Sequence, residues 1–318
     1  MKIIFTGGGT GGHFCPIIAV AQKVNQIIDK ENILGAKLYY FSDSPYDKEM
    51  LLENGLLYEE VKAGKLRTYF SFKNFTDIFK MFFGVLNAIY KVFSIYPDVV
   101  FGKGGYGSFP TILAARILRI PIIIHESDSV PGRVNKWAGH FAQRIAVAFK
   151  EAAEYFPKKN VAWTGLPIRT EIEHPAARDE ALQYFKLESE LPVILILGGS
   201  QGAELINNTV LDALPRLVKN FQIIHQTGVN NFRNVVGRAE VVLASSPEKA
   251  RYLPFAFLNP LGMKMAAGVA TVIVSRGGST IFEIASWAYH QLLFQLLPLT
   301  ATIKGKMLSV MLTQEPAM

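Results

Sequence analysis

An apolar strand, Lys2-Ile3-Ile4-Phe5-Thr6, runs straight into Gly7-Gly8-Gly9-Thr10-Gly11-Gly12-His13, and a helix-like stretch follows from Pro16 through Val24. A strand that ends in glycines and turns into a helix presents free backbone N–H groups and the positive end of a helix dipole to an anion, most often a phosphate. From its first residues the chain is thus constrained toward an α/β fold with a phosphate-handling edge; a tight structural turn without a ligand is the plainer alternative. The spacing matches neither G-x-G-x-x-G nor the P-loop, which requires Lys-Ser/Thr where Gly12-His13 stands, so dinucleotide and ATP-hydrolysis chemistry lose ground. His13 raises the chemical interest, because an imidazole at the mouth of such a loop donates to an oxygen or accepts a proton near neutral pH. Its bland reading is a helix-terminal histidine facing solvent.

Strand-like runs alternate with helix-like ones at Lys2 to Phe5, Lys37 to Phe41, Asp98 to Phe101, Ile120 to Ile124, Arg144 to Ala148 and Val161 to Thr164. Such alternation predicts a parallel, doubly wound sheet. A polar helical stretch follows around Asp179 to Phe185, and then the pattern restarts: Pro192 to Leu197 feeds Gly198-Gly199-Ser200-Gln201-Gly202-Ala203 and a helix from Glu204. Further strands are expected at Gln222 to His225, Glu240 to Leu243 and Thr271 to Val274. Two βα domains are the natural reading, residues 1–163 and 164–287, with ligands at the carboxyl ends of the two sheets.

Half of the 318 residues are apolar, enough for two ordinary cores. The single Cys15 excludes a disulfide framework and a Cys-built metal site, which fits a reducing cytoplasm. No run resembles a signal peptide or reaches the roughly 18–20 uncharged residues of a spanning helix. The net charge of +7 points to an acidic partner without choosing among nucleic acid, anionic lipid and a phosphorylated substrate. Between Lys65 and Tyr96, Phe75, Phe79, Phe82 and Phe83 stand among Lys65, Arg67, Lys73, Lys80 and Lys91. That is the pattern of a basic amphipathic helix lying in an anionic membrane surface. A core helix with a wide stripe is the competing reading, and the adjacent Phe82 and Phe83 favour the membrane.

Other segments carry chemistry. Gly102-Lys103-Gly104-Gly105-Tyr106-Gly107-Ser108 follows a strand and supplies a second anion loop, so that Gly104, Gly105 and Tyr106 beside the first loop suit a diphosphate. In His125-Glu126-Ser127-Asp128, Glu126 and Asp128 are candidates for a general base; a helix cap for Asp128 and a structural hydrogen bond for His125 are the alternatives. Ser200 opens a helix that can hold another phosphate. In Arg276-Gly277-Gly278-Ser279-Thr280-Ile281-Phe282-Glu283, Glu283 can accept two ribose hydroxyls or simply complement a helix dipole.

These motifs, together with Gly165-Leu166-Pro167-Ile168-Arg169, resemble in order and spacing the MurG glycosyltransferase family over residues 1 to about 287. The resemblance implies a GT-B fold of two Rossmann-like domains and transfer of N-acetylglucosamine from UDP-GlcNAc to lipid I, forming lipid II. It implies a peripheral protein on the cytoplasmic face of the bacterial membrane. It implies no cofactor, no metal and no nucleic acid. By position, Thr10, Gly11 and Gly12 would touch the donor sugar, Arg169 and Ser200 the diphosphate, Leu261 the uracil, and Gly278, Ser279, Thr280, Ile281, Phe282 and Glu283 the nucleoside. His13 and Glu126 match residues thought to assist deprotonation of the acceptor hydroxyl. Asp128 stands where many members have a donor-contacting Asn.

After Trp287 the resemblance stops, and with it the segment expected to complete the sugar pocket. His290-Gln291 is not that segment, since it lies about two turns beyond Glu283 and the family needs roughly five or six. Synonymous codons can be chosen for Ala288 to Met318 such that a one-nucleotide shift reads Asn-Ser-Asn-Asp-Gln-Arg-Lys-Asn-Ala near Ile303-Lys304, which resembles the missing sequence. Residues 288–318 therefore read as a frameshifted tail. The alternative function is a catalytically impaired fragment that keeps membrane or UDP-sugar binding. An NAD(P) oxidoreductase would need the absent dinucleotide fingerprint.

Overall fold

A computed structural model describes residues 1–8, 10–64, 72–199, 202–275 and 279–287. The expected frameshifted tail, 288–318, and the site candidates Ser200 and Gly278 lie outside the described residues. The chain divides into two compact units, Met1–Arg169 and the chain from Thr170, so the first unit ends six residues after the expected boundary at residue 163.

In the first unit the strands are β1 (Lys2–Thr6), β2 (Lys37–Ser42), β3 (Leu56–Glu60), β4 (Val99–Gly102), β5 (Ile122–Glu126), β6 (Arg144–Val147) and β7 (Val161–Trp163). They form one parallel sheet in the order β3-β2-β1-β4-β5-β6-β7. Its helices are α1 (Gly11–Lys30), α2 (Lys48–Glu53), α3 (Phe72–Ile95), α4 (Phe109–Ile117) and α5 (Arg133–Ala138). Both sheet faces are covered, which is why the strands read as continuous apolar runs. In β1, Ile3 and Phe5 pack with Phe14, Ile17 and Ile18 of α1, while Ile4 between them joins Val100, Ile124, Ile145, Ala88 and Val92 on the other face. The sequence misses β3 because an edge strand needs only one apolar face, and Leu-Leu-Tyr-Glu-Glu carries little more than that.

The second unit holds β8 (Val193–Leu197), β9 (Gln222–Gln226), β10 (Tyr252–Phe255) and β11 (Ala270–Ser275), all parallel, in the order β10-β9-β8-β11. Its helices are α6 (Thr170–Glu173), α7 (Arg178–Phe185), α8 (Glu204–Leu217), α9 (Phe232–Val242), α10 (Pro260–Val269) and α11 (Thr280–Ser286). Glu240 to Leu243 is not a strand: the segment ends α9, whose Val235, Ala239 and Leu243 recur at helical spacing and bury together against Ile206 and Val210 of α8. The strand in its place is β10, concealed by Pro254, a residue that a sheet admits at its edge. Trp287 ends the described part of this unit, its indole N–H donating to the Ile172 carbonyl at 2.6 Å.

Candidate active site

In the first unit the chain order reverses at β1, which has β2 on one side and β4 on the other, and a doubly wound sheet opens its ligand crevice at such a point. The loops after β1 and β4 meet there. Gly8 N–H donates to the Gly104 carbonyl at 2.9 Å, and a Cβ on Gly105 would stand 2.9 Å from Gly8 Cα. Gly104 and Gly105 have φ of 86° and 80°, so both the conformation and the close approach require glycine. Tyr106 is tied down by donating its hydroxyl to Asp43 Oδ2 at 2.7 Å, and its own pKa is pushed up to about 12 by burial and by Asp43.

α1 starts at Gly11, earlier than the sequence suggests, with Thr10 as its N-cap residue. Gly11, Gly12 and His13 thus occupy its first turn, where His13 N–H donates to the Thr10 carbonyl at 3.0 Å. A Cβ on Gly12 would meet nothing within 4 Å, so the backbone here is open to a ligand. Thr10 Oγ1 lies 2.9 Å from His13 Nδ1. With the threonine oxygen accepting from Nδ1–H, Nε2 is the proton-accepting nitrogen, and it lies 3.3 Å from the position a Cβ on Gly105 would take. Burial first, and the Lys103 charge second, lower the His13 pKa to about 4, so the imidazole is neutral at physiological pH.

Glu126 occupies the end of β5 as expected, but its carboxylate is already engaged. Oε1 accepts from Ser127 N–H at 2.8 Å and Asp128 N–H at 2.9 Å, and Oε2 from Gly132 N–H and Asn135 Nδ2, both at 3.0 Å. The group shapes the loop carrying the exposed Asp128. His125 takes its structural alternative: Nε2–H donates to the Gly165 carbonyl at 2.9 Å, and burial, with Lys103, lowers its pKa to about 3. The sequence reading gave no role to Lys103, which is 1 % exposed and whose Nζ has no hydrogen-bond partner among the described residues. Burial brings its pKa down to about 8 against the opposing pull of Glu126 and Asp128. Arg169 ends the first unit and is buried.

In the second unit the order reverses at β8, flanked by β9 and β11. The glycine turn after β8 is pinned by Gly198 N–H donating to the Gln226 carbonyl at 3.0 Å, with Gly199 and Gly202 at φ of 82° and 80°. Leu197 pairs with Ser275, so β8 and β11 end side by side. Glu283 and the half-buried Phe282 lie in the first turn of α11. Ile281 is buried, so only its backbone can meet a ligand there. Leu261 is exposed in the first turn of α10, capped by Asn259 Oδ1 accepting from Gly262 N–H at 2.7 Å.

On α3, Ala88 and Val92 enter the core while Phe79, Phe82, Phe83, Tyr90 and Phe93 are exposed, Phe83 at 64 %. The Phe75 side chain lies outside the described residues. Beside this face Lys62, Lys80, Lys91, Phe79 and Phe83 line a cavity of about 590 Å³. No helix among the described residues is long and apolar enough to cross a membrane, and they contain no group of three potential metal ligands.

A glycosyltransferase family 28 N-terminal domain model matches residues 3–147, and the corresponding C-terminal domain model matches residues 193–295, running past Trp287. A UDP-N-acetylglucosamine-N-acetylmuramyl-(pentapeptide) pyrophosphoryl-undecaprenol N-acetylglucosamine transferase of Bacillus cereus is 36% identical over 282 residues, 89% of this chain and 75% of its own length. The transferase of that name from Treponema denticola is 34% identical over 89% of this chain and 74% of its own. Among solved structures, Acinetobacter baumannii MurG shares the fold with a TM-score of 0.68 at 24% identity, covering 97% of this chain and 83% of its own.

Proposed function

This chain belongs to glycosyltransferase family 28 and, within it, to the MurG glycosyltransferases, and from that premise we propose that it transfers N-acetylglucosamine from UDP-GlcNAc to lipid I, giving lipid II and UDP. The observation that carries this reading is the 36% identity, over 89% of the chain, to a relative named for that transfer. The His13 geometry between two interlocked glycine loops fits it. The acceptor 4-hydroxyl gives its proton to His13 Nε2 and attacks the anomeric carbon, the bond to the UDP oxygen breaks with inversion, and UDP leaves with the bonding pair. Of the two base candidates we favour His13, because both Glu126 oxygens already serve four donors. The loop Gly104-Gly105-Tyr106 takes the acceptor diphosphate. On the second unit Ser200, Gly278, Ser279, Thr280, Ile281, Phe282 and Glu283 take the donor, with Leu261 at the base. Backbone N–H groups and Arg169 stabilise the departing phosphate charge.

We place the protein peripherally on the cytoplasmic face of the membrane, with Phe79, Phe82 and Phe83 entering an anionic surface flanked by Lys62 and Lys80. The second reading, an impaired chain that keeps UDP-sugar or membrane binding, rests on the sequence after Trp287. Incubation with radiolabelled UDP-GlcNAc and a short-chain lipid I analogue tests the assignment. One added N-acetylhexosamine on the acceptor is expected, lost in His13→Ala. Epimerised UDP-sugar with no acceptor product would overturn the transferase reading, and donor binding without transfer would favour the second.

A further inference from the structure

Lys103 is the one residue of the paired loops whose chemistry is unaccounted for. Its backbone N–H donates to the Thr6 carbonyl at 2.8 Å, which fixes it where β1 and β4 end side by side. Its Cβ and that of His13 flank Gly7, each 3.5 Å from the position a Cβ there would take, so the two side chains leave from neighbouring points. An ammonium buried without a hydrogen bond is costly, and a fold that keeps one does so against its own stability.

The charges around it supply a reason. Two carboxylates, Glu126 at the end of β5 and Asp128 just after it, act on Lys103 and favour its charged form. At His13 burial already disfavours the imidazolium form, which cannot accept a proton, and the neighbouring Lys103 charge adds to that. From the end of β4 the Lys103 charge disfavours protonation of His13 on α1 and of His125 on β5 alike. On its own helix His13 faces Thr10, which is uncharged, and Asp43 beyond β2 is engaged by Tyr106 and Ser42.

We propose that Lys103 is a positioning residue for the base: a buried charge beside His13 that, together with burial, keeps the imidazole in its neutral, proton-accepting form. This rests on the reading of His13 as the base, while the electrostatic coupling itself is measurable without substrate.

The test compares the full chain with Lys103→Met, which removes the charge at similar length, and Lys103→Arg, which keeps it. Lys103→Gln serves as a second neutral variant should the Met protein fail to fold. In ¹³C-histidine NMR between pH 5 and 7, the His13 resonance should be nearly flat in the wild type and in Lys103→Arg. In the neutral variants it should titrate upward by roughly one unit. Transfer kcat/KM with the lipid I analogue should follow, nearly flat down to pH 5 in the first pair and about halved near pH 5 in the second. A His13 titration unmoved in both neutral variants would overturn the proposal even if turnover falls. His13→Gln separates the two ideas: wild-type turnover there would sink the base reading, whereas a shifted His13 resonance in the neutral Lys103 variants would still establish the coupling.

Discussion

Replacing Glu126 with Gln separates a catalytic from an architectural carboxylate. The native group accepts four hydrogen bonds from three backbone N–H groups and Asn135 Nδ2. Gln keeps one carbonyl oxygen for Ser127 and Asp128 but turns an NH₂ toward Gly132 N–H and Asn135 Nδ2, setting donors against donors. Asn135 can flip to offer its oxygen, but its Nδ2 then abandons the His125 carbonyl at 3.0 Å. Hydrogen bonds to a charged acceptor contribute about 1.5–3 kcal/mol each, and those lost here cost roughly 3 kcal/mol in total after relaxation. Against a domain stability of about 5–15 kcal/mol, that is a marked fall in the urea midpoint of the first unit. Turnover should fall in proportion to the disordering of residues 127–132, while the acidic limb of kcat/KM stays where the wild type has it, because the proton goes to His13. A Glu126→Gln protein with the wild-type urea midpoint and a thousandfold loss of kcat would refute this reasoning and make Glu126 the base.

The buried histidines give a pH prediction. His13 and His225 have pKa values lowered to about 4 and His125 to about 3, chiefly by burial, against 6.5 when unfolded. Below pH 6.5 the unfolded chain therefore binds the extra protons, and stability present above 6.5 is lost as pH falls toward 4, about 3 kcal/mol from His225 alone. Urea midpoints at pH 7 and 4.5 check this, and a flat profile would contradict it. Gly105→Ala, with φ near 80° and a Cβ 2.9 Å from Gly8 Cα, should push the two loops apart and depress turnover about tenfold or more with UDP binding unchanged, by calorimetry. Changing Phe79, Phe82 and Phe83 to Ser should release the protein from anionic vesicles in flotation at an unaltered Tm, each exposed ring being worth about 1–2 kcal/mol of interfacial burial. Restoring the reading frame after Trp287 should raise both Tm and transfer, and no gain in either would show the tail to be native.

How far the sequence could be read depended on how local the determining physics was. The glycine loops were legible because their cause lies within a few residues: a strand ends, the backbone must turn with positive φ or pass close to another backbone, and a helix begins. The central strands were legible because burial on both faces leaves an uninterrupted apolar run, as in Ile122-Ile123-Ile124. Edge strands need less, so β3 went unseen and β10 was masked by Pro254, while the apolar end of α9 was mistaken for a strand. The candidate residues could be named because His13, Glu126 and the loop positions all stand at strand ends or helix starts.

Their division of labour was not legible, because it depends on partners remote in sequence. Glu126 looked like a base for want of knowing that Asn135 and three backbone N–H groups converge on it. Lys103 had no role in the sequence beyond its place in a glycine turn, and its burial is set at the end of β4, which pairs with β1 and β5. A buried charge in a sheet can be foreseen when a charged residue immediately follows an apolar strand that pairs on both sides, as Lys103 follows β4. By that criterion it is Lys103, next to the histidine proposed as a base, whose charge the fold has most reason to hold in place.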